Sequence, residues 1–198
     1  MRLVLLLGLL LTSVALPSRG HAQLRPGDLV FQTSRSRQSR VIRQVTGSPW
    51  THVGVVLPRE GELWVLEAVS PVRWTRLDAW RRRGVGQRIT ARRLPRALTA
   101  DEIEALRREG ERLLGRPYDA RFEWGDARLY CSELVWMIYE RALGEALSVP
   151  QRWRELRLGR RARRLARRRL GRLPRPDAIV VTPAALAESP RLVPVSLQ

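Results

Sequence analysis

Two short apolar segments joined by a tight turn constrain the fold of this chain more than any other feature of its sequence. Residues 51–57 and 63–69 are rich in Val and Leu, and Pro58 to Gly61 form the turn between them. Segments rich in β-branched residues favour strands, and so short a connection allows only an antiparallel hairpin. Along the first strand, alternation places His52, Gly54 and Val56 on one face. The hairpin therefore predicts an antiparallel sheet with a titratable side chain on one face.

The rest of the chain predicts further strands and two longer helices around this hairpin. Thr99 followed by Glu102 resembles a capping box, and apolar residues at helical spacing predict a helix that ends near Gly115. Cys131 opens a second helix, because apolar residues follow it at i+3, i+4 and i+7. Shorter elements are predicted as strands at 29–31, 71–75 and 87–94, a last strand at 179–181, a short helix near 41–45 and a helical turn at 77–83. This mixture is typical of the α+β class.

The first 22 residues are typical of a targeting segment. Arg2 provides a positive start, residues 3–11 form an apolar run, and Gly20 to Ala22 supply small residues before a cleavage position. We expect cleavage near Ala22 and an exported protein, periplasmic or secreted, whose single domain covers residues 23–198. The apolar run is shorter than the roughly 20 residues that span a bilayer, and an uncleaved anchor is the alternative.

The composition excludes several kinds of site. All 37 basic residues are arginine and the chain has no asparagine, so N-glycosylation and a Cys-His-Asn triad are both excluded. Beyond residue 22 the chain has one histidine, His52, and one cysteine, Cys131. These are too few for a zinc finger or for a His/Cys metal cluster. We therefore expect no metal and no cofactor.

The lone cysteine is a candidate nucleophile. Cys131 cannot form an internal disulfide, which in an exported protein favours a thiol kept for its reactivity. It lies where a helix is predicted to begin, and the backbone amides there stabilise a thiolate and can donate to an oxyanion. His52 is the imidazole available to it as a base. The alternatives are an inert buried cysteine and a histidine that is simply packed in the core.

An imidazole base needs a third group to orient it, and Glu67 is the best candidate for that role. It lies within an apolar strand, residues 65–69, which pairs with the strand that carries His52. Burial of an unpaired carboxylate is costly, so Glu67 should have a partner, either His52 or one of the many arginines. Weaker candidates for the same role are Asp28, Asp126 and Glu133.

Six blocks of sequence match a family when they are taken in order. They are GDLVFQTS from residue 27, TGSPWTHVG from 46, LEAV from 66, GRPYD from 115, FEW from 122 and YCSELV from 130. This set, which spans most of the chain, resembles permuted papain-like enzymes of the YiiX/YaeF type, a branch of the NlpC-type thiol hydrolases. In unpermuted relatives the cysteine helix precedes the other blocks, whereas here it follows them. The resemblance implies a circularly permuted papain-like fold, with a small antiparallel barrel-like sheet packed on the cysteine helix.

The resemblance also implies roles for individual residues. Cys131 would be the nucleophile, His52 the base and then the acid, and Glu67 the orienting group, while Tyr130 would help to line the oxyanion site. The implied reaction is thiol-mediated cleavage or transfer at an amide or ester carbonyl. Peptidoglycan peptides are the usual substrates of the wider superfamily, whereas some permuted relatives resemble lipid acyltransferases. A catalytically silent module that binds the cell envelope is the rival interpretation.

Residues 152–175, which we call the arginine-rich segment, contain 12 arginines. Leu and Ala residues between positions 158 and 173 form a helical stripe, with arginine elsewhere. A basic amphipathic helix of this kind can bind an anionic membrane surface or an acidic cell-wall polymer. The alternative is a helix that packs on the core and exposes its arginines to solvent. Nucleic acid is not expected as a partner, because the protein is expected to be exported.

Overall fold

The computed structural model describes residues 23–36, 38–156 and 159–197, so the predicted targeting segment, residues 1–22, lies outside the described residues. The strands within these ranges are β1 (Leu29–Ser34), β2 (His52–Arg59), β3 (Glu62–Glu67), β4 (Arg73–Arg76), β5 (Gly84–Arg93), β6 (Gln151–Arg152), β7 (Ile179–Val180) and β8 (Val193–Val195). The helices are α1 (Ser39–Thr46), α2 (Leu77–Arg82), α3 (Ala100–Arg112), α4 (Cys131–Leu143), α5 (Arg160–Leu170) and α6 (Pro183–Ala187), with a 3₁₀ turn at Trp153–Glu155.

The predicted hairpin lies inside the main sheet. This sheet is antiparallel throughout, in the order β4-β3-β2-β1-β5-β8, while β6 and β7 pair separately. The turn between β2 and β3 consists of two residues, Glu60 and Gly61, with φ of 53° and 77°. Two successive positive φ values are typical of the type I′ turn, whose twist matches that of paired strands. The predicted hairpin is confirmed, and Pro58 and Arg59 extend its first strand.

Both predicted helices are confirmed, and the first begins at the predicted cap. The Thr99 hydroxyl accepts a hydrogen bond from the Glu102 amide at 3.2 Å, and the Glu102 carboxylate accepts one from the Thr99 amide at 2.8 Å. This reciprocal capping box satisfies two amides that have no partner inside the helix. The second helix, α4, has Cys131 as its first residue. The nucleophile candidate therefore lies at a helix N-terminus.

The core has two layers, one on each face of the sheet. Leu134, Val135 and Ile138 of α4 pack on one face, against buried residues such as Phe31 and Val55. On the other face, Trp80 of α2 packs against Val30, Val56 and Val65. An antiparallel sheet with segregated helices is an α+β arrangement, as the sequence predicted.

The C-terminal region departs from the sequence prediction. The predicted last strand, residues 179–181, is shortened to β7, and two further elements, α6 and β8, follow it. β8 pairs with β5, with Val195 opposite Ala91 and Pro194 opposite Arg92. Proline is tolerated there because β8 is the outermost strand of the sheet, where an amide can face away from the ladder. A three-residue strand is too short to produce a detectable alternation in the sequence.

Candidate active site

His52 and Glu67 lie on adjacent strands and are joined directly. The His52 Nε2 atom is 2.6 Å from Glu67 Oε2, and both side chains are buried. The ring also stacks on Trp80, at 6.1 Å between ring centroids. Gly54 makes this approach possible, because a Cβ atom at that position would come within 2.4 Å of Val65 Cγ1 and 3.0 Å of the Leu66 carbonyl. The absence of a side chain at residue 54 lets β2 and β3 pack closely behind the pair.

The second oxygen of Glu67 is held as well. The Thr75 hydroxyl donates to Glu67 Oε1 at 2.6 Å, and the Arg83 guanidinium donates to the same oxygen. The sequence predicted either His52 or an arginine as the partner of Glu67, and the structure has both. Burial raises the pKa of Glu67, but the hydrogen bond and charge of His52, the charge of Arg83 and the Thr75 hydrogen bond outweigh burial and lower that pKa to about 2. The group is a carboxylate at any physiological pH.

Cys131 lies next to the imidazole, at the first position of α4. The residue is 1% exposed, and its thiol interacts with the ring of His52 closely enough to raise the pKa of the imidazole. Because Nε2 of the ring faces Glu67, Nδ1 is the nitrogen left for the thiol. Burial lowers the pKa of His52, but the hydrogen bonds with Cys131 and Glu67 outweigh burial and raise that pKa from 6.5 to about 9. The structure thus brings Cys131, His52 and Glu67 together in an arrangement that favours an imidazolium ring beside the thiol.

Tyr118 is a residue of this site that sequence reasoning missed. Burial raises the pKa of Tyr118, and so does the charge of Cys131, with which its hydroxyl group interacts. A single bridge between Tyr118 and Leu129 places the tyrosine beside the start of α4. The sequence GRPYD indicated only a turn, and the one available signal was an aromatic residue within a block that matches the family.

Tyr130, the residue predicted to line the oxyanion site, has another partner. Its hydroxyl accepts a hydrogen bond from the Val181 amide at 3.2 Å, and its ring packs edge-on against Phe122. These contacts hold Tyr130 against the segment after β7. Tyr118, by contrast, is the tyrosine whose hydroxyl interacts with the thiol of Cys131.

The weaker candidates for the orienting role have other partners. Asp28 accepts from Arg93 at 2.7 Å, and Asp126 accepts from Arg141 at 2.7 Å. Glu133 is buried and accepts from the Gly125 amide at 2.9 Å and the Tyr130 amide at 3.4 Å. Glu133 therefore fixes the loop in front of α4, while Glu67 is the carboxylate bonded to the imidazole.

The chain resembles a protein of known sequence and one of known structure. It is 35% identical over 175 residues to the uncharacterized protein YiiX of Escherichia coli strain K12, a match that covers 88% of this chain and 87% of that protein. A crystal structure described as that of metalloprotein YiiX from Escherichia coli O157:H7 superposes with a TM-score of 0.83 at 35% identity, over 88% of this chain and 97% of that one.

The description of that relative as a metalloprotein calls for a test of the residues present here. Among the described residues, no group of three or more His, Cys, Asp and Glu side chains is arranged to hold a metal ion. His52 is already engaged on both sides, by Glu67 and by Cys131. The described side chains therefore do not fit a metal centre.

The described helices include none that is long and apolar enough to cross a bilayer.

A family model accounts for nearly the whole described chain. Residues 23–196 match the model of the permuted papain-like amidase enzymes, YaeF/YiiX, C92 family. The match agrees with the order of the elements, in which the sheet strands that carry His52 and Glu67 precede the cysteine helix. Together with the relatives above, it establishes that this chain belongs to the permuted papain-like amidases of the YaeF/YiiX family.

Proposed function

We propose that this protein is an exported cysteine hydrolase that cleaves an amide bond, in peptides of the peptidoglycan type, with Cys131 as the nucleophile. The observation that carries the proposal is the 2.6 Å contact between His52 and Glu67, with the opposite side of the ring on the thiol. A nucleophile, a base and a group that orients the base are the three parts that thiol catalysis requires. Membership of an amidase family supports the reaction class.

The reaction would proceed in two halves. The Cys131 thiolate attacks the carbonyl carbon, and the resulting oxyanion accepts hydrogen bonds from the Cys131 amide and the Tyr118 hydroxyl. His52 then donates its proton to the leaving nitrogen, the carbon–nitrogen bond breaks, and the acyl group stays on sulfur as a thioester. In the second half His52 takes a proton from water and the hydroxide attacks the thioester; the carbon–sulfur bond breaks, the acid leaves, and the sulfur is again a thiolate beside the imidazolium.

Two other interpretations share these residues. If an alcohol or amine replaces water in the second half, the same site is an acyltransferase or an esterase that acts on lipids. The apolar cavity beside Cys131 suits the acyl group of such a substrate, and its volume of about 30 Å³ limits that group to a few carbons. A silent envelope-binding module has no need of a buried Cys-His-Glu set, so the complete set argues against that interpretation.

Alkylation of the thiol tests the catalytic proposal directly. Iodoacetamide should label Cys131 at pH 7, and His52→Ala should slow labelling by about tenfold or more, because the imidazolium that stabilises the thiolate is lost. Cys131→Ala serves as the unlabelled control. Equal labelling rates in the wild-type protein and in His52→Ala would overturn the assignment of His52 as the base.

Substrate profiling separates the remaining alternatives. Purified protein would be incubated with cell-wall fragments and, separately, with lipid extracts, and the products would be identified by mass spectrometry. New termini in wall peptides that are absent with Cys131→Ala support the amidase proposal. Acyl exchange or release confined to the lipid extracts would replace it with the acyltransferase or esterase.

We also propose that the arginine-rich segment attracts an anionic surface. Arg160, Arg164, Arg167 and Arg168 of α5 are exposed. Ala166 on the opposite side of α5 is fully buried, and Leu173 packs onto the cluster that contains Trp153. Since this apolar side faces the protein, the interaction would be electrostatic, with no insertion of these apolar residues into a bilayer.

A further inference from the structure

Two cavities of different size and lining lie beside the reacting groups. The larger, of about 670 Å³, is lined by His52 and Tyr118. The smaller, of about 30 Å³, is lined by Cys131. Ile42 of α1 contributes to the walls of both cavities. The base and the nucleophile therefore line different cavities.

The larger cavity carries polar groups that the smaller one lacks, on a lining whose surface is otherwise mostly apolar. Its lining carries hydroxyl, amide and guanidinium groups from Gln32, Ser34, Gln38, Ser70 and Arg82. Gln32 is 1% exposed and lies opposite His52 in the pairing of β1 with β2. Its Oε1 atom is buried and has no hydrogen-bond partner among the described residues. The hydroxyl, amide and guanidinium groups of this lining can hydrogen-bond to a polar group of a ligand.

The smaller cavity is apolar and narrow. Apart from Cys131, Ser132 and two threonines, its walls are hydrophobic and include Val41, Val45, Phe122, Trp153, Leu156 and Val180. A water molecule needs roughly 10–15 Å³ of such space, so a cavity of about 30 Å³ holds two or three groups of that size. An apolar substituent between a methyl and a propyl group matches both its size and its surface.

The chemistry decides which half of the substrate each cavity receives. The imidazolium must reach the leaving nitrogen to protonate it, so the leaving group lies on the side of His52. The acyl group remains bonded to sulfur when the leaving group departs, so it lies on the side that Cys131 lines. The larger cavity, which carries the polar groups, therefore receives the leaving group, and the smaller apolar cavity receives the substituent on the acyl carbon.

We propose that the substrate is the amide of a short apolar acid with a polar amine, its acyl side bearing a group of about one to three carbons. This inference rests on the proposed cysteine chemistry and specifies its substrate. In the thioester the short apolar group would occupy the small cavity, where it replaces contact with water by contact with side chains such as Val45 and Leu156.

A series of p-nitrophenyl esters tests the acyl side. Acetyl, butyryl, octanoyl and dodecanoyl esters would be compared, and the rate with Cys131→Ala would be subtracted as background. We expect kcat/KM to be highest for the acetyl or butyryl ester and to fall by about tenfold or more at octanoyl, because the longer chain has no space beside the thiol. A flat profile, or a maximum at octanoyl or dodecanoyl, would overturn the inference.

Enlarging the cavity should move the optimum to longer chains. Val45→Ala removes two methyl groups from the wall, and Leu156→Ala provides a second enlargement if the first variant does not fold. Val149→Ala is the matched control, because Val149 is 78% exposed and lines neither cavity. An unchanged optimum in both folded variants would overturn the inference.

The failure of this inference is distinguishable from failure of the proposed function. Hydrolysis that persists in Cys131→Ala at the wild-type rate contradicts the nucleophile itself. Hydrolysis that requires Cys131 but ignores chain length contradicts only the division of the substrate between the two cavities.

Discussion

Glu67 serves two structural partners and the imidazole at once, which makes it the residue whose replacement should be most informative. We expect Glu67→Ala to lower kcat by about a hundredfold or more, since the ring loses the group that sets its tautomer and orientation. Glu67→Gln should be milder, because one amide oxygen can still accept from the ring. Steady-state kinetics would measure both, with KM largely unchanged.

Glu62→Gln is the control for this prediction, because Glu62 lies on the same strand and its side chain is exposed and paired with Arg76. A loss of activity in Glu62→Gln equal to that in Glu67→Gln would mean that the strand, rather than the carboxylate beside His52, is responsible.

Tyr118 and Tyr130 offer a matched pair of substitutions, since each change removes one tyrosine hydroxyl. Tyr118→Phe should lower kcat by about a hundredfold to a thousandfold, as expected for the loss of one oxyanion donor. Tyr130→Phe should leave kcat nearly unchanged and lower the thermal midpoint, because its hydroxyl binds the Val181 amide. If Tyr130→Phe proved the more damaging to kcat, the oxyanion role would return to Tyr130.

His52, Cys131 and Glu67 could be selected from the sequence because each differs from its surroundings: a lone imidazole, a lone thiol, and a carboxylate in an apolar strand. Tyr118 could not be selected in this way, because its position depends on a bridge to Leu129 that links two irregular segments. The contact between Glu67 and Arg83 was equally hidden, because 37 basic residues give no reason to select one of them.

At the scale of the element, α4 depends on a buried carboxylate in its first turn. Burial raises the pKa of Glu133 from 4.5 to about 8, against the effect of the amides of Gly125 and Tyr130 that donate to it. A raised folded-state pKa contributes stability that is fully present below about pH 4.5 and is lost as the pH rises through about 8.

Glu133→Gln should therefore flatten this pH dependence. Between pH 5 and 8 the free energy of unfolding of the wild-type protein should fall relative to that of Glu133→Gln, by up to about 1.4 kcal/mol per pH unit. Urea denaturation at several pH values would measure the difference. Glu140 is an exposed residue of the same helix, so the free energy of unfolding of Glu140→Gln should depend on pH as that of the wild-type protein does. A constant difference across this range would show that Glu133 does not titrate there.

Elements with strong local signals were predictable, and short ones were not. The capping box at Thr99 and the turn at Gly61 each fix their element by local chemistry, which a sequence reveals. β6 and β8 have two and three residues, and they exist because a long-range partner is already in place. Strand β5 begins at Gly84, earlier than predicted, because it pairs with β1, with Gly84 opposite Ser34.

At the scale of the whole molecule, the net charge of +18 has one concentrated source in the arginine-rich segment. Replacement of Arg160, Arg164, Arg167 and Arg168 by Glu should abolish sedimentation with anionic vesicles, since each arginine near such a surface is worth about 1 kcal/mol. Binding of the wild-type protein should also fall steeply with salt, because exposed charges are screened beyond about 8–10 Å near physiological ionic strength. Hydrolysis of the acetyl ester should survive the replacement.

The control reverses four exposed arginines elsewhere, namely Arg73, Arg88, Arg128 and Arg191. Anionic and neutral vesicles, and an acidic wall polymer, would each be tested at two salt concentrations. Binding to the polymer alone would assign the surface to the cell wall. Binding that ignores salt, or that is absent from all three, would leave α5 as a helix that packs on α1 and exposes its arginines to water.

The pairing of β8 with β5 bears on how the protein behaves at high concentration. Val193 to Val195 cover the backbone of β5 at Ala91 to Arg93. A truncation before residue 193 would leave those amides and carbonyls unpaired on a ten-residue strand, and an open edge of this kind recruits strands from other copies. Such a truncated protein should form soluble oligomers and then precipitate, although its active site is intact. Light scattering would detect this defect before any loss of turnover.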